Sequence, residues 1–301
     1  MALEEKYVNP FTDFGFKKLF GSEPNKDLLI DFLNQVLPQR HKIKELTYSP
    51  TEQLGVTSDD RKAIFDLYCI GENGDRFIVE MQKSKQNFFK DRSVFYSSFP
   101  IQEQAKKGEW DFRLAAVYLV GILDFIFSED KAARQVRHEV QLKDEQCQVF
   151  YDKLTYIYLE MPNFNKKEEE LQSNFDKWMY VLKQLPRLEK RPAALQERVF
   201  QKLFETAEIA RFTPEERHNY EQSLKYYRDM KNVLDTSFEE GRARGREEGK
   251  EEGKEEGRTA GEAMGRAAEK AAIASQMKSN GMDSQLISRL TGLTVAEIEK
   301  L

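Results

Sequence analysis

Two carboxylates stand where the hydrophobic pattern leaves little room for them. The stretch AIFDLYCIGENGDRFIVEMQK, Ala63 to Lys83, reads as two β-strands around a turn, with Asp66 and Glu80 inside otherwise apolar runs. Whether the acids meet is a question of register. A two-residue Asn73-Gly74 turn sets Asp66 against Met81 and puts the acids on opposite faces. A three-residue turn, Glu72-Asn73-Gly74 with Gly74 left-handed, sets 66 against 80, 68 against 78 and 70 against 76. In that register Phe65, Leu67, Cys69, Phe77, Val79 and Met81 form one wholly apolar face, whereas the other register mixes both faces. A clean buried face selects the three-residue turn. Asp66 and Glu80 are then direct neighbours, Cβ atoms about 5 Å apart, and Gln82 follows on the same face.

Like charges directly opposite on a sheet repel. A solvated hairpin face would relieve them, but Ile64, Ile70 and Ile78 flank the pair and argue for partial burial. A partly buried carboxylate pair needs a cation or a shared proton. Two hard oxygen ligands beside open coordination positions suit Mg²⁺, with Mn²⁺ or Ca²⁺ as substitutes, and such an ion usually keeps waters and binds phosphates. The chemistry implied is metal-assisted hydrolysis of a phosphodiester.

The surrounding chain supplies elements to hold this pair. NPFTDFGFKKLFG reads as a short aromatic-rich helix ending at Gly21. NKDLLIDFLNQVLP puts Leu28, Leu29, Phe32, Leu33 and Val36 on one helical face, and Pro38 stops it. The strand-like KIKELTY and the hairpin follow. NFFKDRSVFYSSFPIQEQAKKG reads as a helix broken near Pro100, Leu114–Phe127 as a buried central strand, and Gln146–Met161 as one or two more strands. The order describes an α/β core over 1–162. The segment 163–237 turns helical, with Thr213, Pro214 and Glu216 as a capping box, and is expected to pack onto the core.

A tail follows at 238–272, with glycines at 241, 245, 249, 253, 257, 261 and 265, a strict period of four. As a helix it carries a spiralling glycine stripe. Each glycine costs about 1 kcal/mol against alanine. Either a partner chain packs into that groove or the segment is partly disordered. Residues 273–301 read as two short helices, with Gly281 and Gly292 as terminators and Thr294 and Glu297 as a capping box. Few basic residues occur there, which favours a hairpin for self-association over a helix-turn-helix on DNA.

Composition narrows the function classes. The tail from Glu239 holds 11 basic and 13 acidic residues and the remainder 36 and 39, so any nucleic-acid surface must be local. Lys83, Lys85, Lys90, Arg92, Lys106 and Lys107 provide such a patch. Cys69 and Cys147 form no CxxC pair, and His41, His138 and His218 form no ligand pair, which argues against a disulfide scaffold and a thiolate or histidine metal site. No small-molecule cofactor and no membrane association are expected, because the longest apolar run is too short for a span and carries Asp124. The first residues lack a signal-peptide pattern, and the two unpaired cysteines fit a reducing cytoplasm.

The order helix–β–β–β–helix–β, Asp66 in the second strand and Glu80-Met81-Gln82 in the third resemble the PD-(D/E)XK nuclease superfamily. DFGFKKLFG, VEMQ and the glycine-repeat tail resemble the Rpn family of recombination-promoting nucleases, also described as PD-(D/E)XK family putative transposases. The resemblance covers Asn9 to Phe127 and, more loosely, the tail. It implies a PD-(D/E)XK restriction-endonuclease-like α/β core: a mixed central sheet flanked by helices, with a C-terminal helical segment and a Gly-periodic helical tail. It implies a bacterial, divalent-metal-dependent DNA endonuclease tied to recombination or mobile elements, at the nucleoid when on DNA; a homo-oligomer through 238–301 is expected from the tail itself. Asp66 and Glu80 would bind the metal, and Gln82 takes the usual lysine position without its charge. Lys62 and Lys17 are candidates to supply that charge, and Asp13 is a candidate extra carboxylate or a helix cap. Lys83, Lys85, Arg92, Tyr96 and Gln104 are candidate DNA contacts. Two other readings stay open: a catalytically silent DNA- or protein-binding scaffold, and a phage-defence effector regulated by its oligomerising tail.

Overall fold

In the computed structural model, residues 5–38, 42–53, 63–105, 111–127 and 134–301 are described. By contacts the chain divides into two units, Met1–Asn232 and Val233–Leu301.

The first unit opens with two helices. Helix α1 spans Asp13–Phe20; its N-cap is Thr12, whose hydroxyl accepts from the Gly15 N–H at 3.0 Å. Helix α2, Lys26–Val36, buries Leu28, Leu29, Phe32, Leu33 and Val36, the face its spacing predicted. The sheet has six strands in the order β1 (Leu46–Tyr48), β4 (Leu67–Gly71), β5 (Arg76–Gln82), β6 (Val117–Leu123), β8 (Val149–Glu160) and β7 (Arg137–Lys143). Strands β5, β6 and β8 are mutually parallel and the rest antiparallel. A separate two-stranded sheet pairs β2 (Glu52–Gln53) with β3 (Ala63–Ile64).

The register of the β4–β5 hairpin is the one its apolar face selected: Tyr68 opposes Ile78 and Ile70 opposes Arg76. Gly74 has φ +81° and closes the turn with its N–H on the Gly71 carbonyl at 2.9 Å. One expectation fails near the acids. The ladder stops at Leu67–Val79, so residues 65–66 are a bend between β3 and β4 and not strand. Phe65 therefore crosses to the other layer, against Tyr68 and Tyr96. The second face of the sheet is buried, as the sequence argued, because helix α3, Phe89–Gln102, lies over Tyr68, Ile78 and Leu119.

Helix α3 also runs through Pro100 without breaking. The proline sits in the last turn, where few helical hydrogen bonds follow it, and its carbonyl accepts from the Gln104 side chain at 3.0 Å. Strand β7 was not foreseen; its largely exposed, polar sequence RHEVQLK shows no clean alternation. The other face carries the main core. Helix α4 (Asn174–Gln184) places Trp178 against Phe20 and Phe32, and α5 (Arg198–Ala207) places Phe200 against Trp178. Helix α6 runs Pro214–Ser279, opened by the Thr213–Glu216 capping box. Its first turns join the core through Tyr220 and Tyr227, and Tyr227 Oη donates to Asp124 at 2.9 Å.

In the second unit the glycine-periodic segment is continuous helix within α6. Helices α7 (Ser284–Thr291) and α8 (Val295–Glu299) bury Ile287 and Ile298 against Ala274. Gly281 and Gly292 adopt positive φ, and Thr294 and Glu297 form the capping box. Among the described residues no helix is long and apolar enough to cross a membrane.

Glycines in the two units face opposite circumstances. A Cβ on Gly15 would lie 2.1 Å from the Asn9 carbonyl oxygen, whereas one on Gly245 meets nothing within 4 Å. Gly15→Ala is expected to destabilise the first unit by about 1–3 kcal/mol. Gly245→Ala should stabilise the tail helix by about 1 kcal/mol. Thermal melts followed by circular dichroism read both signs.

Candidate active site

At residue 66 the hairpin ladder gives way to a side-chain exchange. Asp66 Oδ2 accepts the Met81 N–H at 2.6 Å, and Glu80 Oε1 accepts the Asp66 N–H at 3.3 Å. Each acid thus satisfies a backbone amide beside the other. This arrangement, not a regular cross-strand pair, is how the two predicted acids meet.

Glu80 is buried, 6% exposed, on the face covered by α3. Its Oε2 accepts from Gln82 Nε2 at 2.9 Å, and Gln82 Oε1 accepts in turn from Arg92 on α3. Arg92 also bonds Gln86 and stacks 5.8 Å from the Tyr96 ring centre. Gln82 is therefore a bridge between the buried acid and a guanidinium. Burial first, and the Asp66 charge second, push the Glu80 carboxyl up to about 8. Burial also raises Asp66, with the Met81 N–H opposing and Asp13 reinforcing. Burial and the Glu80 charge raise the Tyr96 hydroxyl.

On its other side Asp66 opens into a pocket of about 190 Å³ lined by Asp13, Phe16, Gln82, Lys83, Gln86 and Tyr226 among others. Asp13 and Lys17, paired at 2.9 Å along α1, bring an acid and a base to its edge. Lys83 is held lower than an ordinary lysine by burial, against the pull of Asp13 and Asp66 and with Lys17 adding to the depression. Its ammonium lies 5.7 Å from the Tyr226 ring centre.

The structure thus brings together Asp66, Glu80, Gln82, Lys83, Asp13 and Lys17, with Arg92 and Tyr96 on the α3 side. Lys62 lies outside the described residues. Lys85 is exposed beyond the strand end. Gln104 staples backbone instead: its amide bonds Pro100 and Ala115, beside the Arg76 end of β5. Six residue steps of strand, about 20 Å, separate that end from Gln82, so Gln104 is assigned to the fold. Lys83, singled out in the sequence only as a basic DNA contact, follows Gln82 and lines the pocket beside Asp66 and Met81, on the side opposite the Gln82–Arg92 contact. Tyr226 and Met230 carry no signal in the sequence, because only the docking of α6 brings them near.

The donor chemistry fits a divalent ion. The acids are hard oxygen ligands, and burial, with the Asp66 charge adding at Glu80, disfavours them as bare anions. Among the described residues no cluster of three or more ligating side chains forms. Two carboxylates with water completing the shell is the Mg²⁺ habit.

A mixed sheet covered by helices on both faces, with an acid pair at the edge of a short antiparallel hairpin, defines a nuclease-like α/β fold. Residues 10–237 match the family described as PD-(D/E)XK nuclease family transposase, and the chain belongs to that family. Residues 267–301 match the Rpn/YhgA-like nuclease family, C-terminal HTH domain. That description names the helix-turn-helix which the sparse basic charge had argued against. No curated protein and no solved structure matches the chain. Nucleases of the PD-(D/E)XK type generally use divalent metals.

The raised Glu80 carboxyl makes a signed prediction for the metal-free protein. A folded-state value of about 8 against an ordinary 4.5 means the fold favours the proton. Stability from this group is full below pH 4.5 and is lost as pH rises through about 8. Glu80→Gln should therefore raise the melting temperature at pH 8.5 more than at pH 5 in the presence of chelator. Equal shifts at both pH values would contradict the assignment.

Proposed function

We propose that this protein is a divalent-metal-dependent DNA endonuclease that hydrolyses phosphodiester bonds in recombination or in the life of mobile elements. The observation that carries it is the convergence of Asp66, Glu80, Gln82 and the half-buried Lys83 at one strand end. Asp66 and Glu80 would hold the ion, Mg²⁺ or a substitute such as Mn²⁺ or Ca²⁺. What the ion contributes when bound is a lower pKa for its water and charge on the phosphate oxygens. Lys83 offers an ammonium beside Asp66, suited to stabilising charge on the phosphate as it is attacked. Gln82 fixes the Glu80 carboxylate and transmits the position of Arg92. Lys17 and Asp13 set the charge at the pocket rim, and Lys85 extends the basic surface toward DNA.

The C-terminal unit would add DNA contacts through its helix-turn-helix, and the α6 tail would join copies of the chain. Both roles belong to bacterial cytoplasmic DNA work. A phage-defence effector could be built from the same parts.

Plasmid nicking with Mg²⁺ or Mn²⁺ tests the core of this reading. Asp66→Ala and Glu80→Ala are expected to lower cleavage at least 100-fold. Lys83→Ala should lower it about 10²–10³-fold, the usual loss for a charge-stabilising donor, with Lys83→Arg partly restoring it. Full activity in Asp66→Ala would sink the nuclease assignment; full activity in Lys83→Ala alone would remove only the lysine.

Gln82 in the lysine position favours a second reading, a silent scaffold that binds DNA or protein without cutting. Calorimetry separates the two, because a scaffold without a site takes up no divalent ion and Asp66→Ala then changes nothing. The tail is tested apart from the chemistry. Mass photometry of a chain ending at Asn232 should show a smaller assembly than the full chain, and an unchanged assembly would end the tail's oligomerising role.

A further inference from the structure

Two consecutive phenylalanines at the start of α3 part company. Phe89 is buried, with its ring 5.3 Å from Tyr158 and 5.6 Å from Phe125. Phe88 is 79% exposed and has φ +60°, a left-handed conformation that a bulky side chain seldom adopts. Such backbone persists where the surroundings enforce it, and it collects at functional sites. Here the kink turns one ring into the core and its neighbour out to solvent.

The exposed ring does not stand alone. It lines a groove of about 280 Å³ with Lys85, Gln86, Lys90, Asp91 and Phe125. Lys85 and Lys90 are exposed, and Lys90 is held 5.8 Å from the Phe127 ring centre. Gln86 lines both this groove and the acid pocket, so the two adjoin across one residue. Gln86 is itself bonded by Arg92, the guanidinium that holds Gln82. The groove is thus tied to the proposed cleavage site by a continuous set of hydrogen bonds.

An exposed aromatic ring flanked by two lysines has the chemistry that binds an unpaired nucleotide. The ring offers a face for a base, and the ammonium groups offer charge to adjoining phosphates. Asp91 supplies an acceptor at the same groove and restricts the anion to the lysine side. An intact duplex hides its base faces, so only a single-stranded or unstacked nucleotide can use the ring.

We propose that Phe88 is a base-stacking residue that seats an unpaired nucleotide next to the acid pocket, making single-stranded or locally opened DNA the preferred substrate. This rests on the nuclease reading for its nucleic acid but not for its chemistry. The test is binding by the full chain, in chelator, to a short single-stranded DNA bearing 2-aminopurine and to its fully paired duplex. Wild type should bind the single strand more tightly and change the fluorescence of the stacked 2-aminopurine. Phe88→Ala should lose that change and weaken single-strand binding about tenfold, the size of one base–aromatic stack, while duplex binding and the melting temperature stay as they were. Phe88→Trp should keep both signals. Equal single-strand affinity in wild type and Phe88→Ala overturns the stacking role, even where plasmid cleavage upholds the nuclease reading. Absence of single-strand binding by wild type also overturns the proposal, whereas the nuclease reading falls only with plasmid cleavage in Mg²⁺ or Mn²⁺. A loss in Phe88→Ala that is equal on duplex and single strand makes the ring a general contact and also overturns the proposal.

Discussion

The hydrogen bond from the Met81 amide to the Asp66 carboxylate, 2.6 Å long, is the interaction on which the site depends. It is made where the next step of the β4–β5 ladder would otherwise fall. Because a side chain satisfies that amide, β4 need not continue as strand. The chain bends at 65–66, Phe65 crosses to the α3 layer, and β3 leaves to pair with β2. Strand β5 goes on alone past Val79, supported on its other edge by β6 through Gln82 and Leu123. A charge-assisted hydrogen bond of this kind contributes about 1.5–3 kcal/mol. That offsets part of the repulsion between two acids whose backbone and side chains are exchanged.

The remainder of the repulsion is met by placing cations on both faces of the sheet. Arg92 reaches from α3 through Gln82 to Glu80, while Lys83 and Lys17 approach Asp66 from the α1 side. Neither group would arrive without the apolar layers. Helix α1 is seated by Phe16, Leu19 and Phe20, and α3 by Phe89 and the ring of aromatic residues below it. The Tyr227–Asp124 hydrogen bond then pins the start of α6 over the end of β6, which brings Tyr226 to the pocket wall. Packing energy thus holds in place an arrangement that electrostatics alone would push apart.

How far the sequence spoke for itself follows from which rules apply where. The hairpin register was legible because one face is wholly apolar and a slip of one residue would expose it. The capping boxes at Thr213 and Thr294 were legible because they are local. The bend at Asp66 was not, since alternation assumes an unbroken pleat and the hydrogen bond that interrupts it joins residues 15 apart. Lys83 was counted with the DNA contacts because only its charge was legible; its place beside Asp66 depends on the layers that close the pocket. Gln104 offered only a polar residue on a helix, and nothing in that fact distinguishes a DNA contact from a backbone staple. Exposed strand β7 carries too little apolar signal to be read without its partner β8.

Glutamine at position 82 then has a physical reading. A lysine there would point toward Glu80 from the α3 face, where Arg92 already supplies a positive charge. A second cation would crowd the first, whereas an amide can donate to Glu80 and accept from Arg92 at once, as it does. The face that lacks a guanidinium is the Asp66 face, and the next residue, Lys83, supplies its cation. Successive residues of a strand face opposite sides of the sheet, so a one-residue displacement is the shortest path by which that charge can change sides. Glutamine at 82 and lysine at 83 are on this view a single arrangement, in which the amide keeps the buried acid in position and the ammonium faces the pocket.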